Sequence, residues 1–416
     1  MRAIPSRAKP SCSPGSVVLA KPSWSNGGSM MKARICLASM ALLMAAVAVP
    51  SDAQTRIRVG DEISYESATP AEYPRGDANR PVTWSETVVS PGAKFLRIHF
   101  SKFHLPDGDF LTVTGLNGKE SWVYTGKGPD GTGSFWSFAV EDEAAVVELR
   151  SSGVARRGTR WGVAMDRIVH GEVPFAVEPT PTKVICGTDG RQNAVCQAGI
   201  NMNPVARMLY QSGGSSFVCT GWLAAGSNAN TFVTNNHCIS TQTEASSLQA
   251  KFNYQTTTCG GGTTATTTDY AGGTLLKTNN KLDYTVMTLQ GNPEATWGEY
   301  TATSKQPTAG LVINFPQHPG GGLKRIGYWE DAAQTVRCAV NSVNQTYSGT
   351  TRRSQMSYGC DSEGGSSGSP IMDAGTGRII GLHHYGGVGS NPCLNAATQM
   401  IQVCADAGAL LSCASN

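Results

Sequence analysis

Three residues that could together carry out acyl transfer occur in the order His, Asp and Ser along this 416-residue chain. His237 ends an apolar-polar stretch in TFVTNNHCIS, and Asp283 heads another in NKLDYTVMTL. Ser367 stands in the glycine-rich GGSSGSP near the C-terminus. A hydroxyl nucleophile, an imidazole base and a carboxylate that orients the base are the groups such chemistry requires.

Each residue type suits one role. The Ser367 hydroxyl is a poor nucleophile by itself, so His237 is expected to take its proton and Asp283 to fix the imidazole tautomer. Asp269 competes for that last role, but it lies in a Thr/Gly-rich stretch that we interpret as an exposed loop. The backbone N–H groups of Gly365 and Ser367 are expected to bind the developing oxyanion.

The elements that must position these residues are strands. Apolar and polar residues alternate in segments such as FVCTGWLA and LDYTVMTLQ, so the sequence predicts an all-β region over 184–416. Residues 54–183 alternate in the same way between turns such as GLNGKE, which predicts a small antiparallel β-sandwich. VEPTPTK, Val177–Lys183, is a Pro/Thr linker, and only about Ala396–Ala409 could form a short helix.

The first 53 residues predict export. A basic start at Lys32, an apolar run over 35–49 and small residues up to Ala53 are typical of a secretory signal cleaved after Ala53. Residues 1–29 precede two methionines and resemble neither a signal nor a domain, so we interpret them as upstream of the true start. We expect a secreted protein, in the periplasm during transit or outside the cell, with no membrane attachment once the signal is removed.

Composition limits the remaining possibilities. The net charge is +3 and the charged fraction is 15%, with no basic cluster that would indicate nucleic-acid binding. Ten cysteines follow residue 185, which predicts five disulfides in an oxidising compartment. A zinc site is the alternative, but no Cys-x-x-Cys pair supports it. We therefore expect no metal and no cofactor.

The three motifs resemble those of the serine endopeptidases with the trypsin/chymotrypsin fold, and within them the bacterial secreted lysyl endopeptidase branch. NNHC, LDYTVMTL and GSSGSPI carry the resemblance, and QHPGGGLKRI adds to it, over about 184–416. It implies two six-stranded antiparallel β-barrels. It also implies His237, Asp283 and Ser367 as the catalytic residues. Residues 54–183 contain no cysteine and are joined by the linker to the cysteine-rich region, so we expect this β-sandwich to be a propeptide that is removed by cleavage near Lys183, with the mature chain starting at Val184.

The resemblance also suggests disulfide pairs. Three pairs would match the lysyl branch: Cys186–Cys393, Cys196–Cys259 and Cys219–Cys238. Cys338–Cys360 and Cys404–Cys413 are the cysteines that remain, and the former would brace the loop before the nucleophile.

Two positions depart from the family. Ser366 stands where animal trypsins place an acid that pairs with a newly formed N-terminus, so activation by that ion pair is not expected. CLNAATQMIQV has no acid where the lysyl branch places its lysine-reading carboxylate, so lysine specificity by that device is not expected either.

Specificity is predicted to come from Asp361, six residues before Ser367. That is the register at which trypsins place the acid at the base of the pocket, and Gly386 in GLHHYGG matches the strand that walls the pocket. The alternative is a solvated loop acid beside a disulfide. Glu363 is a rival, but it falls where trypsins have a structural cysteine. His384 either lines the pocket or is structural, whereas His383 and His318 are interpreted as structural.

The sequence thus predicts a monomeric, secreted serine endopeptidase that acts on proteins and peptides after Arg and, second, Lys. It would be made as a precursor that binds its own propeptide, and it would bind no nucleic acid. Lysyl-only or other specificity, an inactive protein-binding homologue, and an adhesin or lectin whose function lies in residues 54–183 are the alternatives.

Overall fold

The computed structural model of the chain describes residues 56–74, 76, 81–151, 161–174, 185–388 and 391–415. The expected signal with its cleavage after Ala53, and the expected processing site at Lys183 and Val184, lie outside these residues. Within the described ranges, no helix has the length and apolar character needed to cross a membrane.

The N-terminal region is a β-sandwich, as the sequence predicts. One sheet has the order β1-β8-β3-β6 and the other the order β2-β7-β4-β5, and all neighbours are antiparallel. Its strands are β1 (Ile57–Ala68), β2 (Val82–Val89), β3 (Leu96–His104), β4 (Phe110–Gly115), β5 (Ser121–Thr125), β6 (Phe135–Trp136), β7 (Ala144–Arg150) and β8 (Gly162–Gly171). In β4 the buried residues alternate with half-buried ones, so Leu111 and Val113 enter the core between the sheets beside Phe100 and Phe103.

The remaining chain is also mostly strand. Its strands are β9 (Gln192–Asn193), β10 (Val205–Ser212), β11 (Ser215–Leu223), β12 (Thr231–Thr234), β13 (Gln249–Phe252), β14 (Thr256–Thr258), β15 (Gly261–Thr264), β16 (Thr268–Asn279), β17 (Tyr284–Leu289), β18 (Ala302–Thr303), β19 (Ile313–Gln317), β20 (Arg325–Gly327), β21 (Val340–Gln345), β22 (Gln355–Tyr358), β23 (Pro370–Asp373), β24 (Ile379–Gly386), β25 (Asn395–Gln399) and β26 (Cys413–Ala414). Its helices are α1 (Gln242–Ser246), α2 (Pro293–Trp297) and α3 (Met400–Ala407), with 3-10 turns at Ala194–Gln197, Pro319–Gly321 and Gly408–Leu410.

Six of these strands close into an antiparallel barrel. The order is β10-β13-β16-β17-β12-β11, and pairing of β10 with β11 completes the circle. Its interior is filled by apolar side chains that include Met208, Phe232, Phe252 and Met287, all fully buried.

The second sheet of this region is a half-barrel, whose strands run in the order β21-β22-β25-β24-β23-β19 and continue through β20 to β9. The sequence predicts a second closed barrel here. Among the described residues, the pairing recorded between the β19 side and the β21 side of this half-barrel is an isolated bridge. It joins Val312 and Ala339, which lie just outside the two strands. The two sheets share a core that includes Trp222, Tyr284, Leu382 and Met400.

Two secondary-structure predictions are wrong. The Thr/Gly-rich segment expected as a loop contains the hairpin of β14 and β15 and the start of β16, because threonine is β-branched and suits a strand. The first residues of the expected tail helix belong instead to β25, which pairs with β22 and β24 in the middle of the second sheet. The helix itself begins at Met400.

The N-terminal sandwich docks on the closed barrel through a shared sheet. β1 pairs antiparallel with β11, so the barrel sheet continues into β8, β3 and β6. A buried apolar cluster joins Val59 and Phe95 of the sandwich to Leu209 and Val218 of the barrel. The guanidinium of the buried Arg97 also donates across the contact, to the carbonyl of Ser247 at 2.9 Å.

Candidate active site

His237 and Asp283 are brought together by strand pairing. β12 and β17 are antiparallel with Thr234 opposite Thr285, so the end of the first and the start of the second lie side by side. His237 Nδ1 lies 2.7 Å from Asp283 Oδ2, and the backbone N–H of His237 donates to Oδ1 at 2.8 Å. Because Nδ1 is the natural donor to a carboxylate, Nε2 is left as an acceptor.

The environment of Asp283 keeps it ionised. Burial by itself would raise the pKa of this carboxyl, but the neighbouring His237 and His384 hold the pKa well below its usual range. Asp283 has a positive φ of 48°, and its carbonyl accepts a hydrogen bond from Asn235 Nδ2 at 2.8 Å. This turn aims the carboxylate at the imidazole before β17 begins.

Asp269, the other candidate for this role, lies elsewhere. It stands on β16, where its carboxylate pairs with Lys251 Nζ at 3.2 Å and accepts from Gln249 Nε2 at 2.7 Å. The structure therefore brings Asp283, and not Asp269, to His237.

Ser367 lies in a tight loop pinned against the closed barrel. Its carbonyl accepts the N–H of Thr220 at 2.8 Å, and Thr220 Oγ1 donates to the carbonyl of Gly365 at 2.9 Å. The Ser367 carbonyl also lies 3.9 Å from Cys238 Sγ, which is 3.8 Å from His237 Nε2. Ser367, this sulfur and the imidazole thus form one contiguous group.

The geometry of Gly365 fits an oxyanion site. Its φ is +89°, a backbone conformation that residues with a side chain rarely adopt. In the described part of the chain, the N–H groups of Gly365 and Ser367 have no recorded hydrogen-bond acceptor. Two free, neighbouring donors beside a serine hydroxyl are what a developing negative oxygen requires.

Cys219, His237 and Cys238 lie close enough together to suggest a metal site, with ligand atoms within 4.8 Å. The two sulfurs form a disulfide, however, so neither is a thiolate that could bind a metal. Five disulfides are recorded among the described residues, and they join the pairs that the resemblance suggests: Cys186–Cys393, Cys196–Cys259, Cys219–Cys238, Cys338–Cys360 and Cys404–Cys413.

Of the two interpretations of His384, its contacts contradict the substrate pocket and support the structural one. Its side chain is fully buried, with Nδ1 at 3.2 Å from Asp283 Oδ2 and Nε2 at 2.6 Å from Gln355 Oε1. Side chains alternate along a strand, and β24 turns this imidazole toward the back of Asp283. Sequence reasoning missed Gln355, because it lies in β22 and no local motif there indicates that its side chain contacts the histidine behind Asp283.

His383 and His318, the other two histidines after residue 185, have the buried contacts of structural residues. His383 is buried with Nδ1 at 2.6 Å from the hydroxyl of Tyr358. His318 is buried with Nδ1 at 2.9 Å from the carbonyl of Gly322, and burial lowers its pKa well below the usual value.

Asp361 is buried, not solvated. Its Oδ1 accepts the backbone N–H of Cys186 at 3.1 Å, and its Oδ2 accepts that of Gly190 at 2.7 Å. Burial raises the pKa of this carboxyl, although the two N–H groups act to lower it. The acid therefore ties the nucleophile loop to the segment that begins the second region.

The surroundings place Asp361 near the strand that carries Gly386. Ser362 Oγ donates to Asn395 Oδ1 at 2.6 Å, and Asn395 Nδ2 donates to the carbonyl of Cys360 at 2.6 Å. Asn395 pairs with Gly386 across β24 and β25. The loop before the nucleophile and the end of β24 are therefore neighbours.

Two further contacts hold this loop, and sequence reasoning did not find either. Glu363 pairs with the buried guanidinium of Arg191 at 3.2 Å. Ser366, which replaces the acid of animal trypsins, donates to Gln317 Oε1 at 2.6 Å. Both contacts fix the loop within the structure, and Ser366 takes part through a neutral hydrogen bond.

A closed barrel, a half-barrel and a His–Asp pair beside a loop serine define a serine endopeptidase with a trypsin-like fold. A family model described as lysyl endopeptidase, C-terminal domain, matches residues 184–400. This match covers more than half of the chain, so the chain belongs to the lysyl endopeptidase family.

Two relatives extend beyond that region. Secreted RxLR effector protein 73 of Plasmopara viticola is 29% identical over 317 residues, which are 72% of this chain and 77% of that protein. Lysyl endopeptidase of Pseudomonas aeruginosa is 27% identical over 297 residues, which are 67% of this chain and 61% of that protein. This chain therefore spans less than two thirds of the length of the latter.

Solved structures are similar over about half of the chain. A Glu endopeptidase in complex with MPD is 21% identical and matches 54% of this chain and 100% of its own, with a TM-score of 0.37. Protease Anisep from Arthrobacter nicotinovorans is 18% identical and matches 53% of this chain and 99% of its own, with a TM-score of 0.36.

Proposed function

We propose that the enzyme is made as a secreted precursor and hydrolyses peptide bonds after arginine, and second after lysine, through an acyl-enzyme on Ser367. The observation that carries the mechanism is the His237 imidazole, whose Nδ1 is held by the ionised Asp283 on the side of the ring away from Nε2. His237 is only 9% exposed in its side chain, so few orientations are open to the ring.

The chemistry follows from this arrangement. His237 Nε2 takes the proton of Ser367 as its oxygen attacks the peptide carbonyl, and the N–H groups of Gly365 and Ser367 bind the oxyanion. The imidazolium then gives the proton to the leaving amine, and the C–N bond breaks. A water molecule, deprotonated by the same imidazole, hydrolyses the ester and restores Ser367. Asp283 stabilises the imidazolium in both halves.

Basic specificity is supported by the charges around the nucleophile loop. Asp189 pairs with Arg191 and Arg325, and Glu363 pairs with Arg191. These two pairs of opposite charges balance, and Asp361, whose recorded partners are backbone N–H groups, adds a third carboxylate beside them. Each Asp361 oxygen accepts one backbone N–H and keeps a lone pair, so a substrate guanidinium can still donate to both. Lysine has a single ammonium and makes fewer such contacts.

The test is a set of peptides that differ only in the residue before the cleaved bond, measured as kcat/KM on wild type and Asp361→Asn. We expect the wild type to prefer arginine, and the variant to lose about tenfold or more of the arginine rate, as when a charged hydrogen bond is removed. Ser362→Ala is the matched control, because it changes the neighbouring side chain without removing charge. A wild type that prefers Glu, Leu or Phe, or an unchanged arginine rate in Asp361→Asn, would assign Asp361 a purely structural role.

The precursor is supported by the organisation of the chain. A cysteine-free sandwich precedes the disulfide-rich region and docks on it through β1 and β11. We propose that residues 54–183 are a propeptide, removed by cleavage near Lys183.

A further inference from the structure

The start of β1 lies at the catalytic group. The guanidinium of Arg56 donates from Nε to the carbonyl of His237 and from Nη1 to Ser212 Oγ at 2.5 Å. Nη1 also lies 3.1 Å from Glu244 Oε1. A charged side chain from the far N-terminal end of the described chain therefore reaches the backbone of the proposed general base.

The next residue contacts the nucleophile loop. A Cβ placed on Gly364 would collide with Ile57 Cδ1, so the Ile57 side chain packs directly against this glycine. Gly364 precedes Gly365, whose N–H we assign to the oxyanion. Arg56 and Ile57 thus lie on either side of the catalytic centre, one against His237 and the other against the loop of Ser367.

The direction of the segment identifies which half of a substrate it imitates. From Ile57 the chain runs away from the catalytic centre along β11, with Ile57 opposite Val218, Arg58 opposite Phe217 and Asp61 opposite Ser215. Its N-terminal end is at the centre and its C-terminal end leads outward. In a substrate, only the residues that follow the cleaved bond have this orientation.

Glu244 is built to hold a cation at this place. Its side chain is 9% exposed, and Oε2 accepts the N–H groups of Ser240 and Thr241 at 2.7 and 3.0 Å. Oε1 faces Ser212 Oγ at 2.6 Å and the guanidinium of Arg56. Hydrogen bonds and Arg56 lower the pKa of this carboxyl against the effect of burial, so it carries a charge. Among the described residues, Arg56 is the basic side chain recorded in an ion pair with it.

We infer that Glu244, Ser212 and the carbonyl of His237 form a subsite for a basic side chain of the substrate, at one of the first two residues after the cleaved bond. The subsite prefers Arg to Lys, and in the precursor Arg56 fills it. The edge of β11 that β1 covers would then bind the leaving half of a substrate by strand addition. A buried carboxylate left without a cation is costly, so departure of Arg56 favours its replacement by a basic substrate residue. This inference rests on the proposed function, since it needs a cleaved bond to define the leaving half.

The experiment begins with the full chain as secreted, whose active serines are counted by fluorophosphonate labelling and whose length is measured by mass spectrometry. Cleavage products of an unfolded protein first give the residue preferred before the cleaved bond. Fluorescence-quenched peptides are then made with this preferred residue before the cleaved bond. They differ in carrying Arg, Lys, Ala or Glu at the first or second position after the bond. The measured quantity is the ratio of kcat/KM for Arg over Ala.

We expect a ratio of about 10–100 at one of the two positions, with Lys intermediate and Glu lowest, as for a hydrogen bond between charged groups. Glu244→Gln should bring the ratio close to one, because the amide can still cap α1 but carries no charge. Glu294→Gln is the matched control, since Glu294 is the first-turn acid of α2 and should leave the ratio unchanged. Arg56→Ala is assayed in parallel once mass spectrometry shows that the N-terminal region has been removed, and it should show the same ratio, because Arg56 is then no longer part of the enzyme.

The outcomes separate the two proposals. Hydrolysis with an Arg/Ala ratio near one in both the wild type and Arg56→Ala, or a ratio that persists in Glu244→Gln, would overturn the subsite and leave the peptidase standing. A folded protein that neither hydrolyses peptides nor is labelled at Ser367 would overturn both.

Discussion

Replacing Asp283 by asparagine isolates the role of its charge. Asparagine has the same shape and tolerates the φ of +48° found here, so the backbone should not change. The carboxylate accepts two N–H groups of His237, one on each oxygen, whereas an amide offers one oxygen and one NH₂. If the NH₂ faces Nδ1, the imidazole must carry its proton on Nε2 and can no longer accept the proton of Ser367.

The magnitude can be worked from the distance between the two groups. A full charge at 2.7 Å from the imidazolium nitrogen contributes on the order of 6 kcal/mol at an effective dielectric constant of about 20. Since about 1.4 kcal/mol of barrier is tenfold in rate, this corresponds to about 10⁴ in kcat, as found for this substitution in other Ser-His-Asp enzymes.

The assay is kcat under saturating substrate, with the thermal midpoint measured on the same samples. Asp269→Asn is the control, because Asp269 is also a buried carboxylate with a basic partner but does not touch His237. It should change stability and leave kcat within a few-fold. A loss below tenfold in Asp283→Asn, or an equal loss in Asp269→Asn, would refute the reasoning.

The remaining predictions concern the nucleophile, the oxyanion site, a buried lysine and processing. Ser367→Ala should fold normally and lower kcat by about 10⁶; retention of a tenth of the activity would exclude this nucleophile. Gly365→Ala should lower kcat by about 10²–10³, because its Cβ would lie 2.7 Å from the backbone nitrogen of Gly321, whereas alanine at Gly349, which also has a positive φ but open space around it, should not. Burial lowers the pKa of Lys324 to about 7. Between about pH 7 and 10.5 the unfolded chain therefore holds a proton on this lysine that the folded chain lacks. The free energy of unfolding should then rise with pH, by up to about 1.4 kcal/mol per pH unit. Urea unfolding at several pH values should show that Lys324→Met removes this slope, and a slope equal to that of wild type would contradict it. N-terminal sequencing of the secreted enzyme should find a start near Val184, and a start near Gln54 would exclude the propeptide.

Much of the architecture could be predicted because its signals are local. Alternation of apolar and polar residues marks strands wherever one face is buried, which is why β4 and the sandwich that contains it followed from the sequence. Composition was a poorer guide: the Thr/Gly-rich segment has little apolar character, yet β13 and β17 supply the pairing that makes β16 a strand. Closure of the second sheet depends on the path of its end strands, which no local pattern specifies.

At the site, the sequence by itself determined which residues could act: His237, Asp283 and Ser367 stand in motifs whose residue types carry the chemistry. Tertiary structure decided what each side chain meets. Register between β12 and β17 selected Asp283, the alternation of β24 turned His384 behind it, and the docking of β1 brought Arg56 to Glu244 across 188 positions of chain. Contacts at such separations depend on strand order and register, which are set by packing of the whole fold and leave no pattern in the neighbouring residues.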